Sequence, residues 1–249
     1  MTSLTVRLDQ SYIADGGIAL SNVQRAIQDS KNIKRLHLSV DVHGCSRYRY
    51  KTDFSENGET FPPLEELVLE WFPITRSCGE YWLKAMDWSH LRVLDLREGS
   101  FSNQLLSLLL PVKDKLPALE SIGMHLPLSW TEDTVQEQRN DPNSFLSAPS
   151  QFFSTARPQS LLGIRLQGYY RSLLPEIFNH QAASLKSLSL HDQEVSRKDC
   201  QRIPLTLEEL EEIGTKSPGL EMLALDVNIS KEHIWVSMHL EFFCAVLIR

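Results

Sequence analysis

The chain has 249 residues, 42% hydrophobic and 23% charged, enough to bury a sizeable core and inconsistent with global disorder. Its 25 Lys plus Arg against 32 Asp plus Glu leave a net charge of −7, which argues against a broad nucleic-acid or anionic-membrane surface, since both reward clustered positive charge. Four scattered cysteines (Cys45, Cys78, Cys200, Cys244) make no C-x-x-C and no zinc-type spacing, so they read as free thiols of a reducing compartment.

From the N-terminus, MTSLTVRLDQSY has neither the basic start nor the apolar run of a signal peptide. Its TVRL, ending at Leu8, sits 30 residues before Leu38 and reads as a first strand. SYIADGGIALSNVQRAIQDS follows, with Ile18, Val23, Ala26 and Ile27 at near-helical spacing. Then a six-residue phrase begins to recur. IKRLHL (Ile33–Leu38), LEELVL (Leu64–Leu69), LRVLDL (Leu91–Leu96), LESIGM (Leu119–Met124), LLGIRL (Leu161–Leu166), LKSLSL (Leu185–Leu190) and LEMLAL (Leu220–Leu225) share one pattern of apolar positions. With 38 leucines in the chain, strict Leu-x-x-Leu-x-Leu should occur about once by chance, and it occurs five times. One copy, Leu105-Leu108-Leu110, lies in SNQLLSLLL and reads as helix.

Side chains alternate along a strand, so the fourth and sixth positions of the phrase share one side and the fifth faces away. The first apolar residue enters the same interior from the preceding turn. A single such strand cannot bury its leucines, whereas stacked copies form a parallel sheet with a leucine spine behind it. Parallel strands need crossovers, and the intervening segments supply them as helices. SCGEYWLKAMDWSH places Tyr81, Lys84, Ala85 and Trp88 on one face with Trp82 and Met86 beside it, and Trp71, Trp82 and Trp88 read as core. LTLEELEEIGTKSPG has Leu207, Leu210 and Ile213 at three-residue steps, Gly214 as expected C-cap and Pro218 as stop. The EELEE run (Glu208–Glu212) reads as the wet face of that helix.

The phrases start at 33, 64, 91, 119, 161, 185 and 220, close to leucine-rich-repeat spacing. The chain thus resembles a leucine-rich-repeat protein over residues 1–228. TLEELEEIGTKSPGLEMLALDV is similar to the divergent repeats in the substrate-binding half of fungal F-box proteins. This resemblance implies an α/β solenoid, an irregular right-handed stack of strand–helix units with one parallel sheet. It also implies a non-catalytic module that recognises proteins, with substrate recognition for ubiquitin ligation as its biology. Two departures stand out. The asparagine that some repeat classes carry after the last leucine is replaced by Asp41, Phe72, Gly99, Pro127, Tyr169 and Gln193, with Asn228 the exception. No LPxEL-type F-box segment precedes the repeats, so a ligase adaptor is expected only if an F-box lies elsewhere.

Two insertions, 41–63 and 128–160, interrupt the rhythm; FLSAPSQFFSTA within the second reads as a short packed helix. RYRY with Lys51 reads as a solvated loop, and residues 229–249 as a cap or a poorly ordered tail. Binding is expected on the outward strand positions, in two columns from which His37, Glu70, Asp95, Arg97, His125, Arg165, Gln167 and His191 are the candidate partner-binding residues. No catalytic or metal-binding residue and no cofactor is assigned, because G-x-S-x-G, H-E-x-x-H and the phosphate-binding glycine motifs are missing. His125 and His191 share a column but stand two repeats apart, with Gln167 between them. The expected protein is a cytoplasmic or nuclear monomer that binds a protein partner, with no nucleic acid and no membrane. Two rivals stand beside it: an enzyme on an irregular α/β fold, and a non-functional fragment of a longer F-box-type protein.

Overall fold

A computed structural model describes residues 2–9, 18–41, 60–72, 76–97, 102–126, 146–157, 159–191 and 205–226. The RYRY loop, most of the first insertion, residues 128–145 of the second and the 229–249 tail lie outside these residues. Strands and helices alternate: β1 (Ser3–Asp9), α1 (Ile18–Asp29), β2 (Arg35–Asp41), β3 (Glu66–Glu70), α2 (Arg76–Ala85), β4 (Val93–Leu96), α3 (Ser102–Leu109), β5 (Ser121–Leu126), α4 (Ser147–Thr155), β6 (Gly163–Gly168), α5 (Leu174–His180), β7 (Ser187–His191), α6 (Leu207–Lys216) and β8 (Met222–Leu225). All eight strands join one sheet in chain order, β1 to β8. Every neighbouring pair is parallel.

The register explains why the phrase recurs. Leu36, Leu67, Leu94, Ile122, Ile164, Leu188 and Leu223 stand opposite one another across the sheet, as do Leu38, Leu69, Leu96, Met124, Leu166, Leu190 and Leu225. From β2 to β7 both rows are buried in one continuous apolar core. The phrase-opening residues Ile33, Leu64, Leu91, Leu119, Leu161 and Leu185 join them. Full burial of each such side chain contributes about 1.5–3 kcal/mol. At β8 the leucines are only partly buried.

Strand entry is locked by a repeated backbone device. The Lys34 carbonyl accepts from both Glu65 N (2.7 Å) and Glu66 N (3.0 Å), and the carbonyls of Glu65, Arg92, Glu120, Leu162 and Lys186 do the same for the next phrase. The side chains of these second positions form a charge-alternating column: Lys34–Glu65 at 2.6 Å, Arg92–Glu120 at 2.7 Å and Lys186–Glu221 at 2.8 Å. Leu162, 42% exposed, is its one apolar member. A slip in strand order would set like charges side by side, so the column favours this pairing, although each exposed pair contributes little by itself.

Several local expectations need correction. The first strand exists, but Val6, not Leu8, pairs with Leu38. Leu4 and Val6 therefore take the spine positions, and the alternation of the strand selects them. On α1 the buried face is Val23, Gln24 and Ile27, while Ala26 is exposed. Gln24 is tolerated inside because its amide donates to the Tyr81 hydroxyl at 2.9 Å. On α2, Trp82 is fully buried and Lys84 is exposed. Trp71 is not core: it is 42% exposed with φ +53°, and Phe72 beside it fills the interior. Gly214 does not end α6, which runs to Lys216 before Pro218 stops it. Thr206 and Glu209 form a capping box at its start.

The expected helix in SNQLLSLLL is present as α3. FLSAPSQFFSTA forms α4, whose Phe152 and Phe153 pack edge-to-face in the core.

Candidate interaction surface

Strand alternation sends the fifth position of each phrase away from the core, and the register lines these residues up. The first outward row reads Thr5, His37, Val68, Asp95, Gly123, Arg165, Ser189, Ala224. In the second, Arg7 pairs with Ser39 and Ser39 with Glu70, while His125 pairs with Gln167 and Gln167 with His191. The Arg97 amide continues this row by donating to the Leu69 carbonyl at 2.8 Å. All eight candidate residues therefore lie on one face, as the alternation requires.

Within that face the structure draws some of them together. At the centre, the Asp95 carboxylate, with its side chain only 13% exposed, accepts from Arg97 Nε at 2.8 Å and from Arg165 Nη2. Asp95 and Arg165 lie two strands apart, and they meet because Gly123 stands between them. A Cβ on Gly123 would fall 2.1 Å from Asp95 Oδ1 and 3.2 Å from Arg165 Nε. Toward β2, His37 Nε2 sits 3.3 Å from Glu70 Oε2. Toward β8, His191 Nδ1 sits 2.5 Å from Asp226 Oδ1. His125 and Gln167 share the second row but join none of these ion pairs.

Ser189 and Ala224 are small, while Arg165, Gln167 and His191 are long, so the face dips into a shallow notch of about 180 Å³ closed by Asp226. That is below the usual size of a small-molecule pocket and matches the scale of a side chain. Among the described residues, no group of three or more His, Cys, Asp or Glu is placed to hold a metal ion.

Charge at the rim follows from the same register. A hydrogen bond from Lys34 holds the Glu65 carboxyl below its ordinary range, helped by the charges of Lys34, Arg92 and Arg35. The Arg92 guanidinium is raised, chiefly by its hydrogen bond to Glu120. In the turn before β4, the Ser89 hydroxyl and then its backbone N–H lower the Asp87 carboxyl.

No protein-family model matches this chain, and no curated protein is significantly similar to it. Among the described residues, no helix is long and apolar enough to cross a membrane.

Three features of the structure escape sequence reading. The role of Gly123 depends on a pairing between residues 70 positions apart. Asp226 stands in the predicted column, yet its partnership with His191 requires the register. Trp71 was masked by its neighbour Phe72, since two aromatics follow the strand and only one enters the core. The positive φ of Trp71 has no sequence signal, because glycine is the residue that normally marks it.

Proposed function

We propose that this chain is a leucine-rich-repeat interaction module that docks another protein on the outward face of its sheet. The observation that supports this most is the division of labour within the repeated phrase. Apolar positions converge on one continuous core, while the alternate positions form two ordered rows bearing charged, hydrogen-bonding and small side chains, with Val68, buried at its outward position on β3, the exception. Such a face, several strands wide and dipping among the described residues into a shallow notch, suits a protein surface better than a small substrate. The similarity of TLEELEEIGTKSPGLEMLALDV to F-box repeats suggests substrate recognition for ubiquitin ligation as the biological setting.

Site-specific photo-crosslinking tests the reading. A photoreactive residue is placed at Ser189 on the sheet face or at Gln151 on α4, and the full chain is expressed in cells. The proposal expects one discrete protein adduct from Ser189 and none from Gln151, with the adduct abolished when Arg165→Glu is added. Identical adducts from both positions, or none from Ser189, would reject docking on the sheet. A ubiquitin-ligase adaptor in the crosslinked assembly would support the ligase setting, and its absence would leave the general docking role alone.

A further inference from the structure

Trp71 is placed against its own stereochemistry. Trp71 comes two residues after Leu69, and Gly168 two residues after Leu166, so the two hold the same place relative to the sixth position of their phrases. Gly168 also has positive φ, +97°, and a Cβ there would lie 2.2 Å from the Leu126 carbonyl oxygen. The chain thus makes a left-handed turn at equivalent points of β3 and β6. In β6 it uses glycine, the residue that turn favours, and in β3 it uses a half-exposed tryptophan. Fold stability does not account for a large indole there, because Phe72 already fills the core beneath.

The charges nearby point the same way. Arg7, Arg97 and Arg165 balance Glu70, Asp95 and Asp226 on the two outward rows, so the face is formally neutral in a chain of net −7. At the centre two guanidinium groups, 41% and 38% exposed, share the single carboxylate of Asp95, while Glu70 of the neighbouring strand is turned to His37. Arg97 uses Nε and Arg165 uses Nη2 for that carboxylate, and each guanidinium has five N–H groups.

Resting on the docking role above, we propose that the occupant of this face is an extended acidic segment of another protein. Its aromatic or aliphatic residue packs on Trp71, its carboxylate inserts between Arg97 and Arg165, and a following side chain enters the notch at Ser189 and Ala224. Strand spacing sets the ruler. β3 to β7 is four spacings, about 19 Å, or roughly six residues of extended chain. The point midway between Arg97 and Arg165 falls at β5, two spacings or about 10 Å from β3, so the carboxylate falls about three residues from the apolar anchor. Carboxylate recognition by paired guanidiniums supplies direction, and the indole supplies apolar area near the edge of the contact.

A phage-displayed random dodecapeptide library selected on the full chain tests this. The expected winners carry Asp or Glu about three positions from an aromatic or aliphatic residue. Synthesised winners should bind Trp71→Gly and Arg165→Ala at least tenfold more weakly than the parent chain. Asp95→Asn, which releases both guanidiniums, should bind them several-fold more tightly, a gain that damage to the fold cannot mimic. Winners without acidic residues, or indifferent to Asp95→Asn and Arg165→Ala, would overturn the acidic-segment proposal. If such winners were nonetheless lost on Ser189→Trp, which fills the notch, docking on the face would survive. Failure to enrich any peptide sensitive to these four substitutions would count against both.

Discussion

Replacing Gly123 with alanine should reverse its effect on stability according to what occupies position 95. In an ordinary strand interior, Gly→Ala is stabilising by roughly 0.5–1 kcal/mol, because alanine loses less chain entropy on folding. Here the added Cβ would overlap Asp95 Oδ1 at 2.1 Å and press on its Cγ at 3.0 Å. The carboxylate must rotate away, which breaks its bond to Arg165 and strains the one to Arg97. A hydrogen bond to a charged group contributes about 1.5–3 kcal/mol. Because the Arg165 side chain is 38% exposed, solvent screening reduces this to about 1–1.5 kcal/mol. Gly123→Ala should therefore be neutral to destabilising by about 0.5–1 kcal/mol in the parent chain. In an Asp95→Ala background it should be stabilising by a similar amount, giving a coupling energy of about 1 kcal/mol or more. Urea denaturation of the parent, both single variants and the double variant measures this directly. If alanine at 123 stabilises both backgrounds equally, the bridge over Gly123 is not formed in solution and the central charge cluster must be abandoned.

Three further expectations rest on separate parts of the fold. Leu94→Ala removes a fully buried spine residue and should lower unfolding free energy by about 2–5 kcal/mol, whereas Leu223→Ala, at the partly buried β8 end, should have a visibly smaller effect in the same denaturation assay. Trp71→Gly should raise stability, or leave it unchanged, by relieving a left-handed penalty of about 1–2 kcal/mol; a loss above 1 kcal/mol in calorimetry or denaturant melts would mean that the indole packs structurally after all. The Asp87 carboxyl is lowered by the Ser89 hydrogen bonds, so it stabilises the folded state above its unfolded pKa, and that contribution disappears as pH falls through its folded value. The difference in melting temperature between parent and Asp87→Ala should accordingly be largest near neutrality and shrink in acid; a difference that persists at pH 2 would contradict this.

The spine was legible because it depends on local alternation and on a phrase repeated often enough to exceed chance. The same alternation identified the two outward rows, which need only the assumption that the phrases stack in register. What remained hidden depends on geometry between repeats or on competition between adjacent residues. Gln24 displaced Ala26 from the buried face of α1 because a hydroxyl on α2, Tyr81, satisfies its amide. Gly214 resembled a helix stop, yet the end of α6 lies two residues on, where the Ser217 N–H still donates to the Ile213 carbonyl at 2.9 Å. Trp71 and Phe72 are chemically similar, and only a backbone turn sends one out and the other in. The charge-alternating column at the second phrase position was written in the sequence throughout, but its meaning depends on which strands are neighbours.

The most direct test of the central claim is the order of the strands in solution. With the native cysteines replaced, spin labels are placed on Ser3 and, in turn, on Ser121, Ser187 and Met222, which occupy one register position across the sheet. Pulsed dipolar spectroscopy should give distances that lengthen in that order, near the four, six and seven strand spacings of about 19, 29 and 34 Å, less any shortening from curvature. A shorter distance from Ser3 to Met222 than from Ser3 to Ser121 would show that the strands do not follow one another along a stack.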